Sequence, residues 1–152
     1  MSAEQRLAEL GLAVPDVVPP LAAYQPAVRA GSFVFTAGQL PLRDGELVAV
    51  GKVGGEVSAQ EATECARQCA LNALAAVRSV AGSLDAVVQV AKMTVFVAST
   101  PDFTGQPGVA NGASELIGEV FGDAGLHARS AVGVPVLPID APVEVELVVE
   151  VG

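Results

Sequence analysis

Between Met93 and Gly152 the chain carries eight acids and a single cation, Arg129. That arginine falls in a short alternating run, His127-Ala128-Arg129-Ser130-Ala131, which reads as a strand rather than a charged helix face. An arginine so placed does one of two things. It balances a neighbouring glutamate, with Glu144 and Glu146 of the last strand as the obvious partners, or it offers a planar fork to a ligand carboxylate or phosphate. Both readings stand on the sequence. The rest of the catalytic inventory is thin. His127 is the only histidine, which rules out a multi-histidine metal site, and Cys65 and Cys69, four apart in one helical pattern, make a poor zinc pair. Ser130, His127 and Asp140 supply the residue types of a hydrolytic triad. However, positions 127 and 130 point to opposite faces of a strand, and no Gly-x-Ser-x-Gly elbow occurs. Gly51-Lys52-Val53-Gly54-Gly55 lacks the spacing of a phosphate loop and reads as a glycine-rich turn.

The elements that must position these residues follow from periodicity. Residues 2–11 read as a short amphipathic helix, and Pro15, Pro19 and Pro20 then force an extended connector. Residues 27–37 read as two strands around Ala30-Gly31, with Phe33 and Phe35 on one face and Val34 and Thr36 on the other. Ser58-Ala59-Gln60-Glu61 is a capping box opening a helix whose apolar stripe runs from Ala62 to Val80 and ends near Gly82. Residues 86–98 form a β-branched run too apolar for a half-exposed strand, hence an internal one. A second helix is expected over 109–121, after a loop containing Gln106-Pro107-Gly108. Strands follow at 127–136 and 142–151, the last alternating valine and leucine with Glu144, Glu146 and Glu150. The order β-β-α-β-α-β-β argues an α+β sandwich, a mixed sheet with two helices on one face. Its other face is then left for a second copy to cover.

Composition narrows the function classes. The 152 residues are 51% hydrophobic, with 26 alanines and 26 valines, and the net charge is −9. In so apolar a chain of one-domain length the excess must be buried somewhere, and a permanent subunit interface is the first candidate. Eight cations against 17 acids argue against nucleic acid as a partner. No apolar run reaches the roughly 18 residues of a membrane span, the N-terminus is polar rather than signal-like, and the two cysteines read as reduced core fillers. A cytoplasmic protein of one domain over 1–152 is the expectation, with 1–20 as a helical extension and connector.

Three blocks carry a resemblance: Phe35-Thr36-Ala37-Gly38-Gln39-Leu40-Pro41, Lys92-Met93-Thr94-Val95-Phe96-Val97, and Ala128-Arg129-Ser130 followed by Leu137-Pro138 and Val143-Glu144-Val145-Glu146. Together they resemble the RidA/YjgF family of reactive-intermediate (enamine/imine) deaminases, in its longer subgroup. The resemblance implies a chorismate-mutase-like fold and a homotrimer with sites in the clefts between subunits, using neither a metal nor an organic cofactor. It implies that Arg129 grips the carboxylate of a 2-imino or 2-enamino acid, and that Glu144 with the carbonyl of Ala131 positions a water that attacks the imine carbon. Tyr24, Gly38 and Asn111 fall near substrate-binding positions. Ala37 and His127 depart from the family's common serine and proline. The alternative reading is a non-catalytic trimer that binds small carboxylates or regulates a partner.

Overall fold

The computed structural model describes residues 1–152. Its elements run α1 (Ala3–Glu9), β1 (Ala27–Ala30), β2 (Phe33–Thr36), β3 (Leu42–Arg43), β4 (Glu46–Leu47), α2 (Ala59–Ala81), β5 (Val87–Ala98), α3 (Gln106–Phe121), β6 (Ala128–Val134) and β7 (Val143–Val151). Five strands form one mixed sheet in the order β1-β2-β7-β5-β6, and β3 and β4 make a separate hairpin. The β-β-α-β-α-β-β order therefore holds for the main sheet. The fold is the chorismate-mutase-like one, with three helices.

Each element has a local cause. Ser58 accepts a hydrogen bond from the Glu61 amide at 3.1 Å, and the Glu61 carboxylate accepts one from the Ser58 amide at 3.2 Å, so α2 starts where its capping box lies. Gly82, at φ 87°, ends it. The β3–β4 hairpin turns on Asp44 (φ 54°) and Gly45 (φ 83°), the two consecutive positive φ values that a two-residue hairpin turn demands. Helix α3 begins three residues earlier than expected. Gln106-Pro107-Gly108 is its first turn, not loop, because a proline there gives up no intrahelical hydrogen bond.

Helices α2 and α3 cover one face of the sheet. All of Val143, Val145, Leu147, Val149 and Val151 are buried there, alternating with half-exposed residues as the sequence pattern requires. The two helices cross closely at Gly112, where a Cβ would lie 2.2 Å from the Thr63 carbonyl oxygen. Helix α2 is buried well beyond its apolar stripe. Gln68 and Asn72 are inside, and Asn72 donates to the carbonyls of Leu40 (3.0 Å) and Leu42 (2.9 Å), tying the segment after β2 to the helix. Cys65 and Cys69 are fully buried free thiols; burial pushes Cys65 up to about 11 and Cys69 upward as well, which keeps both protonated.

The other face of the sheet is bare. Val28, Phe33, Phe35, Val88 and Val132 are exposed on it or at its edges, an apolar surface on a chain that is otherwise acidic. No helix is long and apolar enough to cross a membrane.

Candidate active site

Strand register sorts the expected site residues onto two sides. In the parallel β5–β6 pair, Arg129 stands beside Met93 and Ala131 beside Val95. Met93 and Val95 are fully buried under the helices, so Arg129 and Ala131 share the helix-covered side. Glu144 stands beside Phe96 in the β5–β7 pair, on the bare side. This overturns one of the two sequence readings of Arg129. Strand β5 lies between β6 and β7, so Glu144 and Glu146 are neither on the adjacent strand nor on the same face. The three ion pairs of the chain are Lys52–Asp140, Arg67–Glu119 and Arg78–Glu4, and Arg129 is in none of them.

Arg129 is held instead by neutral acceptors on α3. Its Nη1 donates to Asn111 Oδ1 (2.9 Å) and Ser114 Oγ (3.1 Å), and Nη2 donates to the Pro107 carbonyl (3.3 Å). Asn111 and Ser114 sit three apart and so project from one face of the helix. A guanidinium has five N–H donors. Three are engaged, which leaves Nε–H and one Nη2–H without an acceptor. Nε and Nη2 share one edge of the fork, the kind of edge to which a carboxylate can bind bidentately. The early start of α3 matters here, since the Pro107 carbonyl belongs to its first turn.

The second group forms around Glu144. Gly38 is required by a close approach: a Cβ at that position would fall 2.0 Å from Glu144 Oε1, so the carboxylate lies directly over the backbone of the segment following β2. Gln39 fixes that segment against β7, with N–H to Val145 O at 2.8 Å and the reciprocal bond at 3.0 Å. Tyr24, Gly38 and Glu144 line one cavity of about 310 Å³, walled also by Val18, Leu21 and Leu40 from the connector and the post-β2 segment. Burial raises the Glu144 carboxyl above its ordinary value, and the neighbouring Glu146 charge adds to the rise. A carboxyl so tuned holds a proton nearer neutrality than a free glutamate does, the property a proton shuttle needs.

The chain thus brings together Arg129 with Asn111, and Tyr24 with Gly38 and Glu144, on opposite sides of its sheet. Two other sequence candidates are not assembled. Ser130 accepts a hydrogen bond from Lys92 Nζ (3.1 Å) and Asp140 pairs with Lys52, so neither meets His127. In the glycine-rich turn at 51–55 the amides of Gly54 and Gly55 donate to the carbonyls of Val57 and Lys52, which leaves no phosphate cradle. Sequence reasoning missed Ser114, the Pro107 carbonyl and the real neighbours of His127. The i, i+3 spacing of Asn111 and Ser114 was the available signal for one of them.

Residues 4–151 match the family described as "YjgF/chorismate mutase-like, putative endoribonuclease". Protein TCP17 of Trypanosoma cruzi is 42% identical over 147 residues, covering 96% of this chain and 92% of that protein. The solved structure of Atu1372 from Agrobacterium tumefaciens is 41% identical with a TM-score of 0.91, covering 99% of this chain and 92% of that one. A more distant structure, Escherichia coli TdcF with bound serine, is 28% identical with a TM-score of 0.64, covering 91% and 94% respectively.

Proposed function

From a chain that belongs to the YjgF/chorismate mutase-like family, we propose hydrolytic deamination of reactive 2-imino and 2-enamino acids to 2-oxo acids and ammonia. The observation that carries this reading is the guanidinium edge of Arg129, a clamp with two free donors and no carboxylate of its own chain to fill it. The serine bound to TdcF is a small carboxylate of the kind such an edge would take.

The two groups face opposite sides of one sheet, so a working site joins Arg129 of one chain to Glu144 of the next. A homotrimer closes three such clefts and covers the bare apolar face around Phe33 and Phe35. Within a cleft, Arg129 fixes the substrate carboxylate, which places the imine carbon and removes the entropic cost of orientation. Water adds to the C=N carbon, with Glu144 taking its proton. Strand β6 ends the sheet, so the carbonyls along its outer edge, on the strand that carries Ala131, are free to hold that water. That proton passes to nitrogen to give the carbinolamine; Glu144 then takes the hydroxyl proton as the C=O forms and returns it to nitrogen as the C–N bond breaks, and ammonia leaves with the 2-oxo acid behind. An imine is reactive already, so orientation and one proton carrier suffice.

The endoribonuclease wording attached to the family finds little physical support in this chain, where 17 acids oppose eight cations. The direct test generates 2-aminocrotonate in situ with threonine dehydratase and follows 2-oxobutanoate and ammonia. Faster release with the wild-type chain than with Arg129→Ala supports the proposal. Equal rates overturn the assignment of Arg129. Binding of 2-oxobutanoate with no rate effect at all would make the non-catalytic carboxylate-binding trimer the better reading.

A further inference from the structure

The only histidine of the chain sits two residues before Arg129, and its contacts form an unbroken line to the guanidinium. His127 Nδ1 is 2.6 Å from the Gly125 carbonyl oxygen, and Nε2 is 2.9 Å from Ser114 Oγ. A carbonyl only accepts, so Nδ1 carries the hydrogen, and in the neutral ring Nε2 is then an acceptor. The Ser114 hydroxyl therefore donates to Nε2, which turns its lone pairs toward Arg129 Nη1 at 3.1 Å. The far end of the line is equally fixed. Gly125 is buried against α3, where a Cβ would come 2.6 Å from the Ile117 carbonyl oxygen, so the backbone that carries the accepting carbonyl is packed in place.

We propose that His127 is a positioning residue for Arg129: through the Ser114 hydroxyl it fixes the guanidinium so that the Nε–Nη2 edge stays free for a carboxylate. Without a Nε2 acceptor the hydroxyl rotates, its nearest alternative being the weak acceptor Met93 Sδ at 3.6 Å, and Nη1 loses a defined partner. Arg129 is only half-buried and carries a long, rotamer-rich side chain, so its orientation before binding is worth fixing. Ordering one such side chain ahead of the ligand improves affinity about two- to tenfold. The inference rests on the carboxylate-binding reading of Arg129 for its consequence, but not for its geometry.

Nuclear magnetic resonance of the full chain tests the geometry without any ligand, and a single imidazole makes the spectrum unambiguous. Long-range proton–nitrogen spectra of the neutral ring are expected to show the Nδ1–H tautomer, the less common form in water; the Nε2–H tautomer would overturn the proposal. The Arg129 Nε–H signal, assigned by its loss in Arg129→Lys, is expected to be ordered in wild type and in His127→Gln, whose carboxamide oxygen can still accept from the hydroxyl. It is expected to be mobile in His127→Leu and in Ser114→Ala, the second of which keeps the test alive should the first fail to fold. Equal order in all four chains would sink the idea. Calorimetry with 2-oxobutanoate then reads the consequence: affinity about two- to tenfold weaker in His127→Leu and Ser114→Ala, and near wild type in His127→Gln. If wild type does not bind 2-oxobutanoate, the proposed function fails, while the tautomer and order measurements still decide the role of His127.

Discussion

Arg129 stands on β6, the edge strand of the sheet, and is held by side chains and a carbonyl from α3. Glu144 stands on β7, the central strand, and its carboxylate is folded directly over the backbone at Gly38. The first arrangement satisfies most of a charge and leaves one edge of it open. The second withdraws a charge from water and makes its proton harder to remove. Under the proposed function a ligand anion is held by the one and a proton is exchanged at the other. Within a single chain the sheet keeps the two apart, which is why the proposed site needs a second chain.

That division can be broken experimentally. Removing either partner should cost the most: Arg129→Ala and Glu144→Gln are each expected to lower kcat/KM for 2-oxo acid release by about 10²- to 10³-fold, measured with in situ imine generation. Mixing those two inactive chains through unfolding and refolding should restore about one quarter of wild-type activity, the fraction of clefts that receive both intact residues by random assortment. No recovery would mean that both groups serve one chain and that the two-sided comparison is mistaken. Gly38→Ala pushes a methyl into the carboxylate, and a displacement of that order should reduce kcat about 10- to 100-fold, with less effect on the affinity for 2-oxobutanoate. Asn111→Ala removes one of three acceptors from Arg129 and should weaken 2-oxobutanoate binding about tenfold by calorimetry.

The smallest effect sharpens the Glu144 side alone. Its carboxyl is raised in the folded chain, so the folded state binds that proton more tightly than the unfolded state does. Stability associated with it is complete at acidic pH and is lost as pH rises from the unfolded value of about 4.5 through the folded one. Glu144→Gln should therefore raise Tm slightly at pH 7.5 and give no gain at pH 4, read by thermal melts at both values.

Much of this architecture was legible in the residues. The Ser58–Glu61 box placed the start of α2, the valine–glutamate alternation placed the buried face of β7, and the absence of other cations after Met93 drew attention to Arg129. Those signals are local, since a cap is made within one turn and a strand's two faces repeat every second residue. The partners of Arg129 were not legible. Proximity along the chain suggested Glu144 and Glu146, while the strand order inserted β5 between them and turned them to the other face. Nor did the pattern announce Gln68 and Asn72, polar residues inside α2: Asn72 donates to the carbonyls of Leu40 and Leu42 and accepts from Gln68 Nε2, while Gln68 Oε1 accepts from Arg43 Nε.

The sequence by itself determined the succession of elements, the face each strand buries, the excess of apolar surface and the identity of the one candidate clamp. Only the tertiary structure decided what holds that clamp, which carboxylate it avoids, and that the two chemical groups look away from each other. The reason is physical. Periodicity and capping act over a few residues and are written in consecutive letters, whereas strand order, the crossing of α2 and α3 at Gly112 and the Gly38–Glu144 contact are pairings between distant segments. Those pairings are settled by how the whole chain packs, and the site is made of them.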